Sequence, residues 1–536
     1  MEFLPRFLPA FASCLVALLT GCAQPEVVSK DSPEEVASTA EPLTIALGNA
    51  ELRLPNAAPP GTSVTVTGTG FAPGAEVQLT LNSQTVANAV AAADGTVSLE
   101  FEISADILPG VYTLNAASAG SSGSARFAVR TDFAQDGFAP NYARYNPYEN
   151  VVGPDNVLSL QRRWRSANLS PLRGRIIVAG VRLFATGIPE LSIGDYERWL
   201  YAVGKGSHDW LWYAKLGAAN GIFQRKTAVA AAYGFVYVGA ADGLRVYPQD
   251  CRADFGECLP AWTGPTGSHA STPVVYRNTV YLNSGGTLYA FPSSCPTTSC
   301  GPLWTAPSGA DYSLAVAIYK NTVYTVGTPQ AGSPSVLAAY PVDCRNDGNA
   351  CDPLWKSPIE GEPYDTPVLS NDRIFLVTGS ALRAYRYDCG LGGATCTPLW
   401  RATGEQFIAA PTVADGVVYG DGTQSALFQR EIYSSSAWAV NCRSNGGECR
   451  PLMRFATTFN DPFSDLGPGF ANGVIYVNRD AIPVAQCARD GSICQAPHWS
   501  PDDIPNGYGG PGSMSDGVLY IPGLDTKIYA YGLPAN

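Results

Sequence analysis

Histidine is nearly missing from this chain: His208, His269 and His498 are the only three in 536 residues. They fall in different repeats, which argues against a single metal cluster or a shared catalytic base. No Gly-x-Ser-x-Gly elbow and no phosphate-binding glycine loop occurs, so the common signatures of serine hydrolases and P-loop enzymes are absent. Charged residues make up only 15% of the chain, and the net charge of −12 argues against nucleic acid or an anionic membrane surface as partner. No two cysteines are adjacent and none stand in Cys-x-x-Cys spacing, which disfavours zinc. The one long apolar run, Phe7 to Leu19, is too short for a membrane span.

What the chain does have is glycine (55), proline (42) and tyrosine (27), a composition suited to short strands joined by tight turns. It also has fourteen cysteines. Cys14 lies in the N-terminal apolar run and Cys22 ends that segment. The other twelve form six local pairs: Cys251/Cys258, Cys295/Cys300, Cys344/Cys351, Cys389/Cys396, Cys442/Cys449 and Cys487/Cys494. Pairing this regular points to disulfides and an oxidising compartment. Each small ring would stabilise by about 2–3 kcal/mol on the chain-entropy account. The pairs recur every 44 to 53 residues, and a unit of that length fits one four-stranded blade of a propeller.

The first hairpin of each unit turns at Tyr233-Gly234, Arg277-Asn278, Lys320-Asn321, Asn371-Asp372, Asp415-Gly416, Asn472-Gly473 and Asp516-Gly517. Several of these are the residue types that tolerate positive φ. An apolar-aromatic strand follows each, from Val236-Tyr237 to Leu519-Tyr520, and Leu183-Phe184 supplies an eighth, earlier member. Outer strands are expected to end at Trp212, Trp262, Trp304, Trp355, Trp400, Met453 and Trp499, one fewer than the inner hairpins. Val157–Trp164 has the pattern of the missing strand, so we expect it to pair around Lys527–Tyr531 and close the ring.

Four segments result. Residues 1–21 read as a secretion leader whose end, Leu19-Thr20-Gly21-Cys22, resembles the lipobox of bacterial lipoproteins; the resemblance implies lipidation of Cys22. Residues 22–44, rich in Glu, Ser, Pro and Val, read as a flexible tether. Residues 45–131 show short alternating runs (Glu51–Leu54, Ser63–Thr67, Glu76–Leu81, Val97–Ile103, Val111–Leu114, Ala125–Val129) and predict a β-sandwich. Its stretch from Gly68 to Gly74 resembles immunoglobulin-like domains of the IPT type. Residues 132–536 form the propeller, and Asn146-Pro147-Tyr148-Glu149 with Asn156-Val157, Leu160 and Trp164 resembles the entry segment of quinoprotein-like propellers. That family includes pyrroloquinoline-quinone dehydrogenases and a propeller lipoprotein of the outer-membrane barrel-assembly machinery. The expected fold is therefore all-β: an eight-bladed quinoprotein-like propeller closed by an N-terminal strand, preceded by an Ig-like sandwich.

The resemblance implies two kinds of function. A quinoprotein dehydrogenase needs a quinone pocket, calcium and an Asp base, often with vicinal cysteines. The carboxylates Asp461, Asp465, Asp502 and Asp503 are scattered through loops rather than clustered for calcium. The leading reading is a non-catalytic cell-envelope lipoprotein, facing an oxidising compartment, that binds an envelope protein or glycan. No catalytic residue, metal or cofactor is expected, and pyrroloquinoline quinone with calcium belongs only to the enzyme alternative. The loops from each outer strand to the next inner strand carry Phe223, His269, Tyr312, Tyr364, Phe407, Phe463 and Tyr508. Arg225, Asp311, Glu362, Asp365, Glu405, Gln406 and Asp465 lie near them. These rings either form a face for a peptide or sugar, the carbohydrate-binding alternative, or plug the channel mouth by packing on one another.

Overall fold

A computed structural model describes residues 42–534 apart from 48–49, 56, 120, 173, 189–195, 220–227, 252–254, 311–313, 330–331, 345–349, 404–405, 408, 425–431, 443–444, 457–466, 478, 506–509 and 511. The hairpin turns behave as their residues require. Tyr233, Lys320, Asn321, Asn371, Asp372, Asp415, Asn472 and Asp516 all have positive φ, as does each glycine that follows in a Tyr-Gly, Asn-Gly or Asp-Gly pair. Such turns match the twist of the strands they join. Eight successive sheets follow, with innermost strands Ile177–Ala179, Val229–Ala232, Val274–Tyr276, Ala317–Tyr319, Val368–Ser370, Thr412–Ala414, Gly469–Ala471 and Ser513–Ser515. The chain is a β-propeller, and its helical turns among the described residues are short 3-10 pieces such as Val157–Ser159.

In the first, third, fourth and fifth sheets an aromatic ring of the second strand packs on the tryptophan of the outer strand. Phe184–Trp212, Tyr281–Trp304, Tyr324–Trp355 and Phe375–Trp400 lie 5.9–6.1 Å apart. Most outer strands begin at these tryptophans rather than end there: Trp262–Pro265, Trp304–Pro307, Trp355–Ile359, Trp400–Ala402 and Met453–Ala456. In all five a proline two residues earlier (Pro260, Pro302, Pro353, Pro398, Pro451) cannot donate to a ladder and delays the strand. In the seventh sheet the outer strand is reduced to a bridge between Ala481 and Trp499.

The eighth sheet takes its outer strand from far upstream. Gln161–Arg165 pairs antiparallel with Ile528–Gly532, Arg162 opposite Tyr531 and Trp164 opposite Ala530. The expected strand at Val157 is corrected: Val157–Ser159 turns as a 3-10 helix, and pairing starts at Gln161. The N-terminal body is a sandwich of a four-stranded and a five-stranded sheet around Val64, Val66, Leu79, Leu99, Phe101 and Phe127. Its first strand, Pro42–Leu47, starts inside the stretch read as tether, and small and polar residues blur the alternation of its edge strand Gln84–Val90.

The seam between the eighth and first sheets is electrostatic. Glu149 accepts from Thr131 Oγ1 (3.2 Å) and from the amides of Val151 (3.0 Å), Val152 (3.2 Å) and Gly517 (3.2 Å). Asp516 accepts from Thr131 N (2.6 Å) and Lys205 Nζ (2.8 Å). Burial raises the Glu149 carboxyl above its ordinary value, although the three amides pull the other way. Burial likewise raises Asp132, against the pull of Arg130. Both carboxyls bind protons more tightly folded than unfolded, so their contribution to stability falls as pH rises from the ordinary carboxylate range through the raised values. Burial opposes the charge of Lys205, but Asp516 beside it prevails and the ammonium is raised; its contribution is lost only as pH rises through that higher value. We expect the stability of the native chain relative to Glu149→Gln to decrease as pH rises from mildly acidic to neutral, read from paired denaturation midpoints. A difference that increases with pH would contradict this sign.

Candidate functional site

The axis of the ring is organised by residues 131–146, a stretch with no regular period. The innermost strands donate to it in chain order. Val178 N donates to Phe133 O (2.8 Å), Ala231 N to Ala134 O (2.7 Å), Ile318 N to Pro140 O (2.8 Å), Leu369 N to Asn141 O (2.9 Å), Val413 N to Ala143 O (3.0 Å) and Phe470 N to Arg144 O (3.0 Å). Val275 N uses the Gln135 side chain (3.2 Å), and Asn146 Nδ2 donates to Met514 O (2.9 Å). One short segment thus bonds to every sheet in turn. Positive φ at Phe138, Tyr142 and Arg144 bends it tightly enough to do so, and positive φ is uncommon for such bulky residues. Gly137 is required here, because a Cβ would meet Tyr142 Cα at 2.6 Å.

Two buried arginines, Arg144 of this hub and Arg175 just before the first innermost strand, reach the residues that lead into other innermost strands. Arg144 NH1 donates to Ala410 O (2.8 Å). Arg175 donates to Gly512 O (2.9 Å) and Gly467 O (2.7 Å). Asp136 accepts from Tyr142 OH (2.8 Å) and lies 3.4 Å from Arg175 Nε. Asp365 accepts from Ala410 N (2.9 Å) and Thr366 N (2.6 Å), with Arg144 NH2 at 3.9 Å. Burial lowers the Arg175 guanidinium to about 10 against the pull of Asp136, and burial with Asp136 beside it pushes the Tyr142 phenol well above its ordinary value. Sequence reasoning missed Asp136, Tyr142, Arg144 and Arg175. The only signal was a lone charge set against apolar residues, as in Gly174-Arg175-Ile176-Ile177.

Asp136 and Asp365 are the buried carboxylates that face the two guanidinium groups on this part of the axis. Both carboxylates are already held by protein donors. Among the described residues no group of three or more His, Cys, Asp or Glu side chains stands together as metal ligands.

Of the predicted ligand-facing rings, Phe223, Tyr312, Phe463 and Tyr508 lie outside the described residues, as do Arg225, Asp311, Glu405, Asp465 and the lipidation candidate Cys22. Phe407 follows the packing alternative rather than the binding one. It is 1% exposed, on the strand Gln406–Phe407 that pairs with the sixth sheet, with its ring 5.7 Å from Trp438. It is core, because the second strand of that sheet runs on to Gln424 and draws the connection into pairing. Tyr364 is 45% exposed, with its amide bonded to Val377 O (3.0 Å). His269 is half-buried, and burial and the neighbouring Arg198 lower its imidazole, with Asp242 opposing. The described members therefore divide: Tyr364 and His269 meet solvent and Phe407 does not.

All six predicted cysteine pairs are joined in the structure. No sequence model of a known protein family matches the chain, and no curated protein matches it in sequence. Similar solved structures include BamB from Moraxella catarrhalis, with 12% identity and a TM-score of 0.42, covering 70% of this chain and 98% of that one. The quinohemoprotein alcohol dehydrogenase ADHIIG from Pseudomonas putida HK5 gives 13% and 0.46, covering 76% and 81%. Sqt1 from Chaetomium thermophilum gives 10% and 0.46, covering 70% and 98%. At such values the likenesses carry nothing about ligand or activity, and the sheets and the hub define the fold.

Proposed function

We propose that this chain is a non-catalytic lipoprotein of the cell envelope, anchored through Cys22. Its Ig-like sandwich holds an eight-bladed propeller that docks an envelope protein. The carrying observation is the asymmetry of the two ends of the ring. At the hairpin-turn end the hub closes the axis, and the sandwich packs there too: Asn150 Nδ2 donates to Ala105 O and Ile107 O, both at 2.8 Å. The connections from outer to inner strands lie at the opposite end, and Tyr364 and His269 sit on them. A binding face built on such loops, over a sealed and rigid centre, needs no reacting group. The six disulfides accord with an oxidising envelope compartment.

A photo-crosslinking residue at position 364 should capture one defined envelope protein in living cells, whereas the same residue at the exposed Val181, beside a hairpin turn, should not. Capture at 181 alone would place the partner on the wrong end. Oxidation of alcohols by purified protein supplied with the quinone and calcium would replace this reading with the enzyme. Binding of an oligosaccharide abolished by Tyr364→Ala would replace the protein partner with a glycan. Cys22→Ser should release the chain from the membrane fraction.

A further inference from the structure

The disulfide rings bond to the wrong sheet for a purely local staple. The ring Cys251–Cys258 belongs to the second sheet, yet it pairs with the outer strand Trp210–Ala219 of the first. Tyr213 N donates to Gly256 O (3.1 Å), and Cys258 N donates to Tyr213 O (2.7 Å). The same exchange recurs around the ring. Thr263 donates to Thr298 O (3.0 Å) and accepts from Cys300 N (3.0 Å). Arg401 donates to Gly447 O (3.0 Å) and accepts from Cys449 N (2.7 Å). Arg454 donates to Ser492 O (3.0 Å) and accepts from Cys494 N (2.7 Å), and Thr305 O accepts from Cys351 N (2.7 Å). The paired residue is always the one after the Trp or Met near the start of the outer strand. Each of these rings is a one-residue parallel fifth strand laid on its neighbour's edge.

Three seams lack such a bridge among the described residues: between the fourth and fifth sheets Cys396 N reaches the Ser357 hydroxyl (2.8 Å) instead of a backbone carbonyl, and the other two involve the closing strand. Where the first sheet meets the eighth, Lys205-Gly206-Ser207-His208-Asp209 stands in place of a cysteine pair. Ala167 N donates to His208 O (3.1 Å), and the His208 ring stacks on Trp164 at 4.5 Å. On the other side Trp499 Nε1 donates to Leu160 O (2.9 Å).

We infer that the five bridging disulfides, all but Cys389–Cys396, are redox-sensitive clasps between neighbouring sheets. The closed ring holds its carbonyl and amide in the one arrangement that covers the outer edge of the sheet before it; opened, it leaves that edge unpaired. The hub, the arginine spindle and the closing strand contain no sulfur bridge, so reduction loosens the rim and leaves the ring closed. A dithiol reductant supplies the chemistry. Its thiolate attacks the half-buried first cysteine, Cys251, Cys344 or Cys442, and the buried second cysteine leaves as thiolate. The reductant's second thiol then resolves the mixed disulfide and departs as a cyclic disulfide, leaving two electrons and two protons on the cysteine pair.

Hydrogen exchange of the full chain, oxidised and then treated with dithiothreitol, tests this. In Cys251→Ser/Cys258→Ser the Tyr213 amide, in the adjacent sheet, should exchange about tenfold faster or more, while Phe235–Ala240 of the ring's own sheet is unchanged. Cys389→Ser/Cys396→Ser is the control, because there Cys396 N reaches only the Ser357 hydroxyl (2.8 Å) and the amides of Trp355–Ile359 should not change. Exchange that rises only within residues 251–258 would overturn the clasp. If the variant does not fold, stepwise reduction of the native chain gives the same readout. Loss of protection at Val178, Ala231 and Ile318 together with the rim would overturn the separation of rim from hub.

Discussion

Ending the chain after Tyr520 should abolish the cooperative unfolding transition, whereas removing residues 23–129 should leave it in place. The truncation takes away Ile528–Gly532, the one strand among the described residues to which Gln161–Arg165 is paired and the third strand of the eighth sheet. It removes Ile521, Ile528, Tyr529 and Tyr531, each 2% exposed or less, and the packing of Tyr531 against Trp499 at 4.9 Å. At about 1.5–3 kcal/mol for each fully buried large side chain, the four represent about 6–12 kcal/mol. That is comparable to the roughly 5–15 kcal/mol by which a folded domain outweighs its unfolded chain. Deleting the sandwich removes two hydrogen bonds from Asn150, each worth about 1 kcal/mol, and keeps Thr131, Asp132 and the whole hub. Thermal scans of both truncations by circular dichroism decide it. A sharp transition retained in the first would show that the ring does not depend on this closure.

The strand order of the propeller is legible because each unit repeats the same local physics. A two-residue turn of Asn, Asp or Gly type is followed by an apolar residue and a tyrosine or phenylalanine, and that hairpin is self-consistent without distant contacts. The cysteine pairs mark where third and fourth strands part. The closing strand follows from one unpaired edge, although its start falls four residues later than the pattern suggests, because Val157 looks like strand and folds as a 3-10 turn. The hub is not legible. Its bonds come mostly from backbone carbonyls, which leave no trace in side-chain pattern, and its positive φ values fall on Phe138, Tyr142 and Arg144, residue types that argue against such geometry.

The same division holds for the site. Tyr364 and Phe407 occupy equivalent connections and look alike in sequence. Burial separates them, and burial depends on how far the neighbouring strand extends: Val417–Gln424 in one case, Arg373–Thr378 in the other. Asp365 reads in sequence as a loop acid beside Tyr364. In the structure two backbone amides and the approach of Arg144 make it part of the ring's internal frame.

That frame predicts the largest effect of any single substitution. Arg175→Met should cost about 3–5 kcal/mol, the range for leaving the partner of a buried ion pair uncompensated. The methionine replaces much of the volume and none of the donors. The carbonyls of Gly467 and Gly512 lose their bonds, and Asp136 keeps only the Tyr142 hydroxyl. Asp136→Asn alone should cost about 1–3 kcal/mol, because Arg175 retains its two carbonyl acceptors. The two changes together should cost less than their sum, since a neutral amide beside the introduced methionine has no charge to strand inside the ring. Denaturant midpoints of the two singles and the double give the coupling directly. Strict additivity would mean that the 3.4 Å contact between Arg175 and Asp136 is geometric only, and that the arginine acts solely by tying the entry of the seventh innermost strand to that of the eighth.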